Sequence, residues 1–277
     1  ECLRQNYPNA KIVCIIKKYA RQIIEDCPWI DEILECDDKN LKGFIKLVKT
    51  IKKMAPDLTV VLPNSIRSAL TVRLAGVKNI YGYIRNGRRL LLTNGPKPQR
   101  DEKNKIIPTP MTDYYLNICK YLELELPTKA KPKLFVSDQL EKESAALLKK
   151  YKIKDNDFVI GLNPGAKFGS SKCWPPKYFA KLAELMEQKL NCKLILFVGP
   201  GEDKIAQDII NQSKAYIINT GPDKVKLGLL KPLVKRCQLL VTNDTGPRHY
   251  AVAFNIPVVV IMGSTDPRYT QKNLDKT

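Results

Sequence analysis

Histidine is nearly absent from this chain, whose 277 residues contain a single one, His249. The eight cysteines form no Cys-x-x-Cys pair, and several lie in apolar runs such as KIVCII. The sequence therefore shows neither the spacing of a zinc site nor that of a disulfide scaffold. Scattered cysteines in apolar surroundings are typical of small buried side chains and favour a reducing, cytoplasmic location.

Long apolar runs are missing as well. No stretch approaches the roughly 20 residues that cross a bilayer, and the N-terminus has no signal-peptide core. The chain opens with ECLRQNYPNAKIVCII, a helix end followed directly by a strand, and stops at YTQKNLDKT without a closing element. We therefore expect a fragment that is truncated at both ends and lacks its first strand.

Acidic residues are scarce relative to basic ones. There are 47 Lys and Arg against 28 Asp and Glu, a formal net charge of +19 that both halves share. Such a charge favours anionic partners, which include nucleic acid, an acidic membrane surface and phosphorylated substrates. A lysine-rich solubilising surface explains the same charge, so charge alone does not choose a function.

Short apolar strands alternate with amphipathic helices along the whole sequence, the pattern of an α/β protein with parallel sheets. The Pro- and Lys-rich connector LPTKAKPKLFVSD divides the chain into two domains, 1–134 and 135–277. The second domain has five predicted strands, enough for a doubly wound sheet. Strands are expected at 11–16, 31–36, 58–63, 79–83, 157–163, 193–199, 215–219, 238–242 and 257–262.

Four loops rich in small residues follow strands of the second domain, where such sheets bind their ligands. Their sequences are NPGAKFGSSKCWPP, GPGED, NDTGPRH and GSTDP. Lys172 with nearby glycines suits a phosphate, and Glu202 either complements a helix dipole or holds a ribose. Asp244 fits a helix cap as well as it fits a ligand contact. Together the four loops predict a nucleotide or nucleotide-sugar cleft.

These loops, with the first-half segments CPWIDEIL and LPNSIRSALTVRLAGVKNIYGY, resemble the ADP-heptose:lipopolysaccharide heptosyltransferases of glycosyltransferase family 9. The first half is similar to their heptosyltransferase II branch. The resemblance implies a GT-B fold of two Rossmann-like domains that face a central cleft, with an acceptor-side first domain and a donor-binding second one. It also implies inverting transfer of heptose from ADP-heptose to the inner core of lipopolysaccharide, without a tightly held metal or cofactor.

The resemblance further assigns roles to individual residues. Lys172 would contact the donor phosphates and stabilise the departing charge. The residues that would bind the rest of the donor are Gly165, Ala166, Lys167, Glu202, Asp244, Thr245, Gly246 and His249. The family places its catalytic aspartate in a loop after the first strand, which would precede residue 1. We therefore assign no general base, and a chain truly this short is expected to bind donor with little or no transfer.

A basic segment in the first half is the candidate acceptor site. Residues 78–105 hold eight Lys or Arg against two acids, beside Tyr81 and Tyr83. We expect Arg85, Arg88 and Arg89 to bind the anionic inner core, or the inner face of the inner membrane that carries it. A solvated basic loop explains the segment nearly as well.

Other functions fit parts of the sequence. A GT-B relative that uses another nucleotide sugar, as a transferase or an epimerase, would need the same loops. A nucleic-acid-binding protein would explain the charge but not the loops, and no known DNA or RNA module occurs, so nucleic acid is not expected as a partner. An inactive scaffold that keeps the nucleotide site is the remaining alternative.

Overall fold

The computed structural model describes residues 1–128, 130–166 and 170–269. Within these residues the chain forms two compact units. Unit 1 contains Glu1–Arg21 and Pro28–Ala130, and unit 2 contains Lys131–Pro267 together with the short segment Gln22–Cys27. The division at residues 134 and 135 stays a prediction, because the units change over a few residues earlier and exchange one segment.

Unit 1 contains two separate parallel strand pairs, β1 with β2 and β3 with β4. The third strand is shorter than expected and ends before Pro63, which has no N–H to donate to a neighbouring strand. The helices and strands are α1 (Cys2–Asn6), β1 (Val13–Lys17), α2 (Arg21–Ile24), β2 (Glu32–Cys36), α3 (Leu41–Met54), β3 (Leu58–Val60), α4 (Ile66–Leu74), β4 (Asn79–Tyr81) and α5 (Met111–Tyr121).

The core of unit 1 lies around β4 and α4. Ile80 and Ala69 are fully buried there, with Ile51 of α3 and Leu92 of the loop that follows β4. A second small cluster joins Tyr83 to Tyr114 and Ile118 of α5. The loop after β4 is thereby packed on both sides by apolar side chains.

Unit 2 is built on one five-stranded parallel sheet with the order β7-β6-β5-β8-β9. All five strands expected in this half are present, within a few residues of the predicted bounds. The elements are α6 (Asp138–Lys150), β5 (Val159–Asn163), α7 (Pro176–Leu190), β6 (Lys193–Leu196), α8 (Asp203–Gln212), β7 (Ile217–Asn219), α9 (Leu227–Arg236), β8 (Leu239–Asn243), α10 (Gly246–Ala253) and β9 (Val258–Ile261).

Both faces of this sheet are covered, as the continuous apolar strands require. Leu162 and Leu196 point toward α7 and α8, whereas Phe197 and Leu240 point toward α9 and α10. Each face has its own buried cluster, so the sheet is the middle of three layers. None of the helices within the described ranges is long and apolar enough to cross a bilayer.

The segment Gln22–Cys27 packs against α9 by a polar contact as well as an apolar one. Lys231 of α9 has no exposed surface, and its Nζ lies 2.5 Å from Oδ2 of Asp26. Ile23 joins the apolar cluster on the same side of the sheet. The buried lysine is thus paired, as a buried charge must be.

Candidate active site

The chain order of unit 2 reverses between two neighbouring strands, β5 and β8. From β5 the chain first builds the sheet outward through β6 and β7, then returns to β8 and continues to β9. In doubly wound sheets the loops at such a switch point diverge and leave a crevice at the carboxyl ends of the strands. The loops that leave β5 at Asn163 and β8 at Asn243 therefore flank the expected crevice.

Two buried asparagines join these loops. Nδ2 of Asn243 donates to the carbonyl of Pro164 at 2.6 Å, and Oδ1 of the same side chain accepts from the Trp174 N–H at 3.1 Å. Asn163 donates to the hydroxyls of Thr242 and Thr245, each at 3.0 Å. The side-chain amides thus fix the end of β8, the loop after β5 and the start of α7 relative to one another.

A cluster of three charges lies at the end of β8. Oδ1 of Asp244 accepts from Nη1 of Arg248 at 2.7 Å, one turn into α10, and Oδ2 faces Nζ of Lys172 at 3.6 Å. Asp244 and Arg248 are buried, whereas a quarter of the Lys172 side chain is exposed. The cluster therefore carries a net positive charge, and Lys172 is the cation that a ligand can reach.

Asp244 is ionised in spite of its burial. Burial alone would raise the pKa of this carboxyl. The hydrogen bond and charge of Arg248, the charge of Lys172 and a hydrogen bond with Thr265 outweigh the burial, so the pKa lies below its usual value. The carboxylate is a fixed negative charge between two cations.

The Lys172 turn is held against the loop that follows β9. A Cβ on Gly263 would lie 2.8 Å from the carbonyl oxygen of Ser171 and 3.4 Å from Cα of Lys172. Only glycine permits this approach without a shift of the turn. The loop after β9, the fourth of the small-residue loops, therefore packs against the backbone of the Lys172 turn.

His249 follows Arg248 on the first turn of α10, whose N-cap is Thr245 and whose first residue is Gly246. The imidazole is exposed, yet desolvation by surrounding protein atoms lowers its pKa, and the charge of Arg248 lowers it further. The nearby charge of Asp244 only partly opposes this shift. His249 and Lys172 thus each lie within electrostatic range of Asp244.

Glu202 reaches back across its own loop toward β5. Its Oε2 accepts from the Gly199 N–H at 2.7 Å, and a Cβ on Gly165 would come within 2.0 Å of the carboxylate. Burial, and next the charge of Glu202, raise the pKa of Cys173, while the Ala166 N–H opposes them. Gly165, Ala166 and Glu202 therefore meet beside β5, and Lys167 lies outside the described residues.

In unit 1 the three candidate acceptor arginines lie in different environments. Arg88 is 0% exposed, and its guanidinium donates to the carbonyl of Tyr83 at 3.0 Å, to Oδ1 of Asn64 at 3.1 Å and to the carbonyl of Pro63. The expected role of Arg88 in acceptor binding stays a prediction, and its guanidinium donors are engaged in the interior. Arg89 is exposed and donates to the Thr93 carbonyl.

Arg85 lines a surface cavity of about 370 Å³ in unit 1. The rings of Tyr83 and Tyr114 stack inside it with centroids 3.6 Å apart, and Tyr114 donates to Oδ1 of Asn64. Lys97 and Lys120 add two further cations to its wall, and none of its lining residues within the described ranges is acidic. The cavity can therefore hold an anionic group.

Sequence reasoning missed four of these contributors. Arg248 stands four residues after Asp244, the spacing at which opposite charges meet on a helix, so this pair could have been found. The bracing roles of Asn163 and Asn243 depend on contacts across the sheet that no local pattern reveals. Lys120 comes from α5, outside the basic segment. Among the described residues no group of three or more His, Cys, Asp or Glu side chains could hold a metal ion.

Comparison with known proteins gives a consistent result. The family described as "Glycosyltransferase family 9 (heptosyltransferase)" matches residues 44–276. Lipooligosaccharide heptosyltransferase 2 of Haemophilus ducreyi is 27% identical over 97% of this chain and 79% of its own length. Lipopolysaccharide heptosyltransferase 2 of Escherichia coli K12 is 25% identical over 97% of this chain and 78% of its own length.

Two solved structures share the fold. The ADP-heptose LPS heptosyltransferase II of E. coli superposes with a TM-score of 0.81 at 24% identity, over 99% of this chain and 82% of that one. A family 9 glycosyl transferase from Veillonella parvula superposes with a TM-score of 0.84 at 23% identity, over 97% and 76% of the two chains.

Proposed function

Because this chain belongs to glycosyltransferase family 9, we propose that it transfers heptose from ADP-heptose to the inner core of lipopolysaccharide, with inversion at the anomeric carbon. The observation that carries the proposal is the cluster of Lys172, Asp244 and Arg248 at the switch point of unit 2. It leaves one reachable cation where a doubly wound sheet binds the phosphates of a nucleotide.

The donor would lie across the carboxyl ends of β5, β6 and β8. Its diphosphate would contact Lys172, the first N–H groups of α10 at Gly246 and the hydroxyl of Thr245, because helix N-termini bind anions. His249 would face the same diphosphate. The ribose hydroxyls would donate to the carboxylate of Glu202. Gly165 and Gly199 leave space for this carboxylate beside β5.

The chemical step requires charge stabilisation rather than covalent catalysis. The bond between the anomeric carbon and the diphosphate oxygen breaks, and ADP leaves with the electron pair. The acceptor hydroxyl oxygen bonds the opposite face of that carbon and gives its proton to a general base. Lys172 and the α10 amides stabilise the negative charge as it grows on the diphosphate, which lowers the barrier.

The cavity at Arg85 would hold the anionic part of the acceptor. A carboxylate or phosphate on the inner core would pair with Arg85, Lys97 or Lys120, which line the cavity without a competing acid. The edges of the stacked rings of Tyr83 and Tyr114 border the cavity and would contact a bound sugar. A volume of about 370 Å³ is in the range of small-ligand sites.

The surroundings of the acceptor are also part of the proposal. Lipopolysaccharide is anchored in lipid, so the protein would work as a peripheral protein at the inner face of the inner membrane. A net charge of +19 supports this location, because anionic lipid headgroups attract basic surfaces.

An assay of the purified protein tests the proposed reaction directly. ADP-heptose is incubated with a lipopolysaccharide inner-core acceptor, and the product is identified by its mass while ADP release is measured. In protein that also carries the loop expected to supply the general base, we expect one heptose added per acceptor in proportion to ADP released. Lys172→Met should lower kcat/KM by roughly 10²- to 10³-fold, the usual effect of removing one transition-state contact.

The matched control is Lys189→Met, which removes the same charge from the far end of α7. It should leave the rate unchanged. ADP release without a heptosylated product, or equal rates for the two lysine variants, would contradict the proposal.

Donor identity needs a separate measurement, since a relative that uses another nucleotide sugar would keep the same loops. Calorimetric titration with ADP, UDP and GDP compares the three bases on an otherwise identical diphosphate. We expect ADP to bind tightest. Preference for UDP or GDP would replace ADP-heptose with another donor while retaining a diphosphate site.

A further inference from the structure

Arg248 is a buried cation that the proposed reaction does not itself use. It is 1% exposed, so its guanidinium is not at the surface where a donor would bind. Nη1 donates to Oδ1 of Asp244 at 2.7 Å and also approaches the Met262 sulfur at 3.9 Å. Its charge is therefore directed at Asp244.

The two cations around Asp244 are held at different distances. Arg248 makes a hydrogen-bonded ion pair of ordinary length with Oδ1. Lys172 stays 3.6 Å from Oδ2, beyond the usual N–H···O range, and keeps a quarter of its side chain exposed. The carboxylate is thus compensated by arginine, and the lysine ammonium is only loosely attracted.

Without Arg248 the balance would change. Among the described residues, Lys172 would then be the cation left beside the buried carboxylate of Asp244, and a buried charge needs a close partner. The ammonium would then be drawn onto Oδ2 and would have to be pulled away before it could bind a diphosphate. The free energy of that separation would be lost from donor binding.

We propose that Arg248 is a positioning residue: by pairing with Oδ1 of Asp244, it keeps Lys172 available for the donor diphosphate. This inference rests on the proposed function, in which Lys172 binds that diphosphate. It adds a residue that the family resemblance did not assign.

Arg248→Met tests the proposal through the difference between two ligands. ADP and adenosine share the nucleoside, and only ADP carries the diphosphate that Lys172 would bind. We expect the Kd of ADP to rise about tenfold and the Kd of adenosine to change less than about twofold. Equal losses for the two ligands, or an unchanged ADP Kd, would overturn the proposal.

A second substitution separates positioning from a loss of charge or fold. In Arg248→Met with Asp244→Asn, the carboxylate that captures Lys172 is gone, although the arginine is still missing. The double variant should bind ADP about threefold or more tightly than Arg248→Met alone. If it binds ADP no better than Arg248→Met alone, Arg248 does not act through Asp244 and the inference fails.

Arg248→Lys covers the case in which methionine is not tolerated in the interior. It keeps a cation beside Oδ1 and should retain ADP binding within about threefold of wild type. If the lysine variant folds and still loses ADP as severely as we expect for methionine, the inference is wrong. Failure of wild-type protein to bind ADP would instead overturn the proposed function, so the two failures are distinguishable.

Discussion

Arg88 and Arg89 are sequence neighbours in opposite environments. Arg88 is enclosed and donates to the carbonyls of Tyr83 and Pro63 and to Asn64, which also accepts from the Tyr114 hydroxyl. Arg89 is exposed, and its guanidinium donates to the Thr93 carbonyl. Arg88 therefore ties the loop after β4 to the loop after β3.

Arg88→Ala should destabilise the protein by about 3 kcal/mol or more, because buried carbonyls and Asn64 lose their donor. Arg89→Ala should change the free energy of unfolding by less than about 0.5 kcal/mol, as is usual for surface positions. Urea denaturation followed by circular dichroism measures both. Equal stability of the two variants would refute the structural role of Arg88.

Arg85 is the arginine of this segment that should affect acceptor. Arg85→Ala removes a cation from the cavity wall, so the KM for acceptor should rise about tenfold while the Kd of ADP is unaffected. Initial rates at varied acceptor concentration provide the measurement, and Arg73→Ala, at an exposed position in the last turn of α4, is the control. An unchanged KM would remove the cavity from the acceptor proposal.

At the scale of single side chains, the sequence identified candidate site residues in unit 2 more clearly than in unit 1. Lys172, Asp244 and Glu202 could be singled out because each follows a strand of a parallel sheet, and strand ends meet at one edge. The three arginines could not be distinguished. Burial of Arg88 depends on carbonyls from Pro63 and Tyr83, and these come together only in the folded unit.

Among the helices, strands and loops, β5 and the loop after it should tolerate amino-acid substitutions least. All five residues of β5 are buried, and the loop passes between Glu202 on one side and Asn243 on the other. At Gly165 the Glu202 carboxylate occupies the space that a side chain would need. The carboxyl ends of β5, β6 and β8 are therefore interlocked through side chains.

Gly165→Ala should weaken nucleoside binding without loss of stability. The three atoms nearest to the added methyl group all belong to the end of the flexible Glu202 side chain, which can swing away while the strands remain in place. We expect the Kd of adenosine to rise about three- to tenfold and the urea midpoint to stay unchanged. Unaltered adenosine binding would mean that Glu202 does not hold the ribose.

Gly201→Ala is a suitable comparison for backbone effects in the neighbouring loop. Gly201 has φ of 82°, the left-handed region, and nothing lies within 4 Å of the position of an added Cβ. Alanine there costs about 1 kcal/mol of stability through strain alone. A loss of adenosine affinity confined to Gly165→Ala would thus report on Glu202 rather than on loop strain.

The order of helices and strands was predictable because the hydrophobic periodicity and the positions of Gly and Pro indicate the same boundaries along the chain. Pro176 opens α7 as its sequence position indicates, and every strand of unit 2 lies within its expected range or one residue beyond it. The exchange of Gln22–Cys27 into unit 2 was not predictable. It rests on the pairing of Asp26 with Lys231, which are far apart in sequence.

For the molecule as a whole, the net charge predicts binding to anionic membranes, and this prediction can be tested. With a net charge of +19, the protein should sediment with vesicles that contain anionic phospholipid and not with neutral vesicles. Raising the salt to about 0.5 M should release it, because the Debye length shortens. Salt-independent binding, or no binding at low salt, would contradict a surface held by charge.

The resemblance found in the motifs is confirmed at this scale, as is the α/β, GT-B fold with parallel sheets. Loop motifs at strand ends are specific enough to identify such a family from one sequence. It could not identify Arg248, whose role depends on the burial of Asp244, nor the cavity at Arg85, which α5 completes with Lys120.

The most direct test of the central claim, a diphosphate site centred on Lys172, is the titration of ADP and adenosine into wild-type protein and Lys172→Met. Wild type should bind ADP at least about tenfold more tightly than adenosine. Lys172→Met should lose most of this preference for ADP while its affinity for adenosine stays that of wild type. An ADP affinity that survives the substitution unchanged would contradict the account.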